Sequence, residues 1–163
     1  MGKYTKMIKI KKFNNLKIKI FSDGANKEQM IETYKKKYIK GLTTNPTLMH
    51  KAGIKDYKKF SIDILKTIKS KPLSLEVFAD DFEEMERQAI EISNWGKNVY
   101  VKIPITNTKG ISSSKLIKKL SARGIKLNIT AIMTTKQVKE VLKNLNPKIK
   151  NFISVFAGRI ADT

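Results

Sequence analysis

Lys102 lies in the run NVYVKIP, where Val99, Val101 and Ile103 alternate with Tyr100, Lys102 and Pro104. Residues two apart in a strand share a face, so the valines and the isoleucine point one way, toward covering helices, and the lysine points the other. A cation near the end of an otherwise apolar strand is costly to bury, and it either snorkels to water or gives up its proton. The same parity separates Glu76 from Leu75 and Val77 in LSLEVF. It sets Asn128 and Thr130 opposite Leu127 and Ile129 in KLNIT, and puts Ser154 with Phe156 on one face of NFISVF. Asp23 ends the first apolar run, and Asn45 follows the second in the turn GLTTNPT. A buried lysine with acid, amide and hydroxyl groups around it is the equipment for imine chemistry. The neutral amine attacks a ketone, and the protonated imine then draws electrons out of a neighbouring bond.

Composition narrows the other routes. The 163-residue chain has no cysteine and one histidine, His50. Disulfides, a thiolate nucleophile and a Cys- or His-rich zinc site are therefore not expected. Electrophilic activation of a carbonyl must come from something other than such a metal, and no cofactor is implied. No apolar stretch reaches the ~18 residues of a membrane span. The N-terminal MGKYTKMIKIKKFNN lacks the apolar core and cleavage site of a secretory signal, so a cytoplasmic location is expected. The formal net charge of +20 raises nucleic-acid binding as a reading. Only three of the 34 basic residues are arginines (Arg87, Arg123 and Arg159), and the lysines spread over every segment. That distribution fits a solvated coat on outer helices better than a binding patch. A positive field of this kind would still draw in phosphorylated metabolites.

The elements that must position these groups alternate along the chain. Strands are expected at Lys17–Ser22, Ile39–Thr43, Leu73–Phe78, Asn98–Ile103, Lys126–Thr130 and Asn151–Phe156. Helical periodicity fills the gaps. Tyr57, Phe60, Ile64 and Ile68 form one stripe. Phe82, Met85, Ala89 and Ile92 form a second behind an Asp80 cap with Glu83 three residues on. Leu116, Ile117 and Leu120 end at a Gly124 stop, and Val138, Val141, Leu142 and Leu145 follow Thr134 with Gln137. Six strands, each separated from the next by a helix, imply a parallel sheet with right-handed crossovers. No Gly-rich phosphate loop follows the first strand, which removes the main support for an open nucleotide-binding sheet. Each strand also delivers a polar group at its C-terminal end, and in a (β/α)8 TIM barrel those ends meet at one mouth. The expected fold is thus α/β, a TIM barrel of about six βα units, with residues 1–16 a basic extension and 17–163 the partial barrel.

Singly, each group has a plainer reading. Lys102 could be a solvated strand tip, Glu76 a salt-bridged core acid, Arg159 a surface charge, and Thr43-Thr44-Asn45-Pro46 a turn into a proline-started helix. The joint pattern carries the argument: six polar groups of matching parity at six strand ends.

The segments SDGAN (22–26), GLTTNPTL (41–48), LEVFAD (75–80), VYVKIPIT (99–106), GIKLNITAIM (124–133) and SVFAGRIAD (154–162) together resemble the transaldolase family in its small, compact branch. The resemblance runs from the first strand to the end of the chain, departing at Gly24, where the family commonly has Thr. It implies a metal-free class I aldol transfer of a dihydroxyacetone unit between sugar phosphates, in the pentose phosphate pathway. On this resemblance Lys102 is the Schiff-base lysine, and Asp23 is the acid/base at the C4 hydroxyl. Glu76 and Thr130 hold a proton-relaying water, while Asn45 and Asn128 orient the dihydroxyacetone fragment. Ser154 binds a hydroxyl, Arg159 the phosphate, and Phe156 is an aromatic wall. Fructose-6-phosphate aldolase, a close relative, generally has Gln and Tyr at the positions of Glu76 and Phe156, so transfer is favoured over simple cleavage.

An ionised Glu76 beside the amine would favour the cation, which places Glu76 at a distance, acting through the bridging water. The sequence ends at Thr163, just after the sixth strand. Two units, roughly 50 residues for this fold, are thus expected to be missing, with the first and sixth strands left as unpaired edges and the chain a piece of a longer protein. An inactive fragment or pseudoenzyme, a fructose-6-phosphate aldolase and a basic nucleic-acid-binding protein stay open as other readings, as does a homo-oligomer.

Overall fold

The six apolar runs form six strands: β1 (Ile20–Asp23), β2 (Ile39–Thr43), β3 (Leu73–Glu76), β4 (Val99–Pro104), β5 (Leu127–Ile132) and β6 (Phe152–Val155). Between and after them lie α1 (Lys27–Lys35), α2 (Pro46–Lys51), α3 (Tyr57–Thr67), α4 (Phe82–Ser93), α5 (Ser114–Ala122), α6 (Thr135–Asn144) and α7 (Ala157–Ala161). This computed structural model describes residues 17–162, so the basic extension assigned to residues 1–16 lies outside the described residues. Every neighbouring pair of strands is parallel, and the order is β1-β2-β3-β4-β5-β6. A doubly wound sheet reverses its order at a switch point, whereas strictly sequential order is barrel connectivity.

Curvature settles the matter. In a flat sheet β1 and β6 would stand about 24 Å apart, five strand spacings. Instead the rings of Phe21 on β1 and Phe152 on β6 meet edge to face, with centroids 5.1 Å apart. Tyr100 on β4 packs 4.5 Å from the same Phe152 ring. The sheet is curled into an incomplete (β/α)8 barrel, and these three rings form a floor inside it. Gly41 makes room for the floor, because a Cβ there would lie 2.1 Å from the Phe21 ring.

The outward parity is as apolar as the sequence implies. Leu73, Leu75, Val101, Ile103, Leu127 and Ile129 are fully buried under the helices. On the helix side they meet Ile64, Met85, Ala89, Ile117 and Leu120. A register shift late in β5 refines the pattern: Ile129 pairs with Ile153, but Ile132 pairs with Val155. The extra residue leaves Ala131 with a left-handed backbone, φ 59°. The bulge turns Ile132 out of the barrel and into the helix-side core, where it is fully buried.

Local signals mostly act where the sequence puts them. Thr134 and Gln137 form a reciprocal capping box on α6. Gly124, with φ 82°, comes directly after the Arg123 cap of α5. Two expectations are corrected. Asp81, not Asp80, caps α4 by accepting from the N–H groups of Glu83 and Glu84. The acidic pair offers the same spacing from either position, and Asp80 is drawn away to accept from the backbone N–H and hydroxyl of Thr108. Leu142 is 58% exposed and does not join the buried stripe that Val141 supplies. Strand ends also move, β1 starting at Ile20 and not Lys17.

The close approach at Gly41 yields an expected outcome. Gly41→Ala forces the methyl against an aromatic ring between two strands and destabilises the fold by about 1–3 kcal/mol. A circular dichroism melt shifted down by several degrees is expected; an unchanged midpoint would mean that Phe21 does not lie over that strand.

Candidate active site

Strand register builds the centre of the site. Glu76 pairs with Lys102, and Lys102 pairs with Asn128, so three polar side chains stand in a row across β3, β4 and β5 on the inner face. Lys102 Nζ lies 3.2 Å from Glu76 Oε2, with side-chain exposures of only 10% and 16%. Nζ also donates to the Thr44 carbonyl at 3.0 Å. The expected separation of Glu76 from the amine is therefore corrected: the carboxylate touches it directly. Adjacent strands about 4.8 Å apart leave two inward side chains in one register row no room to stand off. Burial pushes the Glu76 carboxyl above its ordinary value, the Lys102 ammonium pulls it back, and the charge of Asp23 pushes it further up.

Glu76 is held from behind. The Tyr57 hydroxyl, at the start of α3, donates to the Glu76 backbone carbonyl at 3.0 Å. The ring of Tyr57 is wedged between Phe78 and Trp95, at 4.6 and 5.3 Å. Burial first, and then the Glu76 charge, pushes this phenol well above its usual range, so it stays a donor.

Asp23 and Asn45 meet at the ends of β1 and β2. The Asn45 Oδ1 caps α2 by accepting from Leu48 N–H. That fixes the amide so that Nδ2 donates to Asp23 Oδ2 at 3.3 Å. Pro46 opens the helix at its first turn, as the turn sequence implies. Desolvation by the barrel wall raises the Asp23 carboxyl above the ordinary aspartate value. The Lys102 charge and hydrogen bonds from Gly24, Thr43 and Asn45 oppose it.

On the far side, Asn128 Nδ2 donates to Ser74 Oγ at 3.0 Å, and Ser154 Oγ donates to Asn128 Oδ1 at 2.7 Å. A cavity of about 410 Å³ opens at this mouth and is lined by Asp23, Asn45, Lys102, Asn128, Thr130, Ser154 and Phe156, with Phe21, Thr43, Phe152 and Ile153 beside them. The structure thus brings together eight of the nine residues expected at the site, Glu76 joining through Lys102. Arg159 is the exception: it is exposed on α7 and takes no part in the cavity wall. A larger concavity, about 610 Å³, lies over α4 and α5 on the outer surface and contains none of the strand-end groups.

Sequence reasoning passed over the Thr44 carbonyl, Ser74 and Tyr57. Ser74 was reachable by the parity that found Glu76, two residues on; the other two are tertiary contacts with no local signature. Among the described residues, no group of three or more His, Cys, Asp or Glu could hold a metal ion, and no helix is long and apolar enough to cross a membrane.

Chemically, the site offers an amine with a proton acceptor in contact, a second carboxylate across the cavity, and amide and hydroxyl groups suited to a polyhydroxylated ligand. Comparison with known proteins points the same way. The family model described as Transaldolase/Fructose-6-phosphate aldolase matches residues 20–163. The chain is 39% identical over 145 residues to a probable transaldolase of Dehalococcoides mccartyi, covering 89% of this chain and 63% of that protein. It is 37% identical over 146 residues to a probable transaldolase of Carboxydothermus hydrogenoformans, covering 90% and 64%. For a probable transaldolase of Clostridium perfringens the figures are 35% over 145 residues, 89% and 63%. The chain therefore spans just under two thirds of the length of these relatives.

The contacts of Asp23 give a titration with a defined sign. Its raised value places the Asp23 carboxyl transition, followed by carbon NMR, above that of an ordinary aspartate. Asn45→Ser keeps a capping side chain but removes the donor to the ionised form, so the transition moves to still higher pH. A downward or absent shift would refute the contact.

Proposed function

The chain belongs to the transaldolase/fructose-6-phosphate aldolase family, and from that premise we propose that its barrel mouth carries out class I, Schiff-base transfer of a dihydroxyacetone unit between sugar phosphates. The observation that carries the reading is the buried contact of Glu76 with Lys102, which lines the cavity.

Glu76 takes the proton from Lys102 Nζ across 3.2 Å. The freed amine attacks C2 of a ketose phosphate such as fructose 6-phosphate or sedoheptulose 7-phosphate, giving a carbinolamine. Loss of water from C2, with Glu76 and Thr130 handling the proton and the water, leaves a protonated imine. Asp23 then takes the C4 hydroxyl proton, the C3–C4 bond breaks, and its electron pair moves into the imine to form an enamine. An aldose phosphate leaves, glyceraldehyde 3-phosphate or erythrose 4-phosphate according to the donor. Attack of the enamine carbon on a second aldose and reversal of the steps release the new ketose. Asn45 and Asn128 hold the three-carbon unit, Ser154 binds a hydroxyl, and Phe156 walls the cavity. Arg159, in the short helix that follows Ser154 and Phe156, is the proposed phosphate ligand, aided by the positive field of the chain. Glu76 and Phe156 support transfer over simple cleavage. A role in the pentose phosphate pathway and a cytoplasmic location belong to the same proposal.

Borohydride reduction in the presence of fructose 6-phosphate is expected to fix an adduct on the peptide containing Lys102, and Lys102→Ala to abolish it. Asp23→Asn is expected to keep the adduct but lower turnover by ~10²–10⁴-fold. Adduct formation undiminished in Lys102→Ala would dismiss the assignment. Turnover without an added aldose acceptor would replace transfer with aldol cleavage.

A further inference from the structure

Ser74 sits on β3, two residues before Glu76 and on the same inner face, and is fully buried. Its hydroxyl accepts from Asn128 on β5, so the bond passes over the intervening β4. Asn128 is 6% exposed, and its other amide atom accepts from Ser154 on β6. The thread Ser74–Asn128–Ser154 thus ties three strands together inside the barrel, with Asn128 in register with Lys102 and Ser74 in register with Tyr100. Of the three, only Asn128 and Ser154 line the cavity; Ser74 does not.

We infer that Ser74 is a positioning residue that fixes the amide plane of Asn128 at the cavity wall. An asparagine amide has two N–H donors and one carbonyl. With the carbonyl held by Ser154 and one N–H by Ser74, the rotation of the amide is locked. The remaining N–H is the group Asn128 presents to a ligand, and the Ser154 hydroxyl, having given its proton to Asn128, presents lone pairs beside it. A donor next to an acceptor matches a hydroxyl group, which can accept from the first and donate to the second. Without Ser74, a buried N–H loses its partner and the amide turns to find another, scrambling that pattern. The structural hold stands on its own; its kinetic consequence rests on the proposed reaction.

The test has two arms on the full chain. In the first, the chain is labelled with ¹⁵N-asparagine, and the Asn128 side-chain amide signals are identified by their loss in Asn128→Ala. Ser74→Ala is expected to raise the exchange rate of that amide at least ~10-fold, with Ser74→Cys intermediate. In the second, Ser74→Ala is expected to raise KM for fructose 6-phosphate roughly 10-fold with kcat within about threefold, and to have no further effect in an Asn128→Ala background. If Ser74→Ala does not fold, Ser74→Cys is read in both arms. Unchanged amide exchange, or a KM effect that simply multiplies that of Asn128→Ala, overturns the inference. A chain that forms no Lys102 adduct but shows the amide effect refutes the reaction and leaves the hold of Ser74 on Asn128 standing.

Discussion

A lysine and a glutamate, 3.2 Å apart and almost wholly shielded from water, are the constraint on which the rest of the structure depends. Desolvating two charges is expensive, and their attraction repays it only when the geometry is tight and the remaining hydrogen-bonding capacity is used. Here Lys102 has the Thr44 carbonyl as a further acceptor, and the strand under Glu76 is pinned by Tyr57. Removing one member of such a pair typically costs ~3–5 kcal/mol, because the other is left charged and buried. Passing the proton from Nζ to Oε2, as the proposed mechanism requires, would turn two buried charges into two neutral groups. Burial already biases Glu76 toward holding a proton. The proposed imine chemistry needs a neutral amine, and the contact puts a proton acceptor directly beside it.

The barrel makes that contact unavoidable. Parallel pairing sets Glu76 beside Lys102 and Lys102 beside Asn128, and the curl brings groups from β1, β2 and β6 around them. Below, Phe21, Tyr100 and Phe152 close the interior, and Gly41 leaves space for the first of these rings. Above, the bulge at Ala131 ends the inward alternation of β5 just past Thr130 and sends Ile132 back to the core. The mouth is therefore polar because Glu76, Lys102, Asn128 and Thr130 take its inward positions, and the floor is aromatic because Phe21, Tyr100 and Phe152 point inward below them.

What could be read from the sequence follows from the period of the strand. Parity alone separated Lys102, Glu76, Asn128, Thr130 and Ser154 from the aliphatic residues between them; alternating strands and helices implied a parallel sheet, and a polar group at every strand end pointed to the barrel. The contact between Glu76 and Lys102 depends on register between strands, which neither strand encodes by itself, so the sequence does not show it. The α4 cap was ambiguous for a local reason: Asp80 and Asp81 carry equivalent signals, and a loop contact with Thr108 decided between them. Leu142 fits the apolar period of α6, yet stands 58% exposed, since periodicity says which side a residue is on and not what lies opposite. Arg159 was placed by resemblance and not by parity, and it alone of the nine expected residues neither lines the cavity nor joins it through Lys102, as Glu76 does.

Glu76 accepting the Lys102 proton directly is the central claim, and it is measured by the rate at which the amine becomes trapped. Quenched-flow mixing with fructose 6-phosphate, borohydride reduction and mass spectrometry give the appearance of the Lys102 adduct with time in the native chain and in Glu76→Gln. The account predicts that the glutamine variant forms the adduct ~10²-fold or more slowly at neutral pH, recovering as the pH rises and solvent base takes over. Equal rates with the same pH dependence would contradict it.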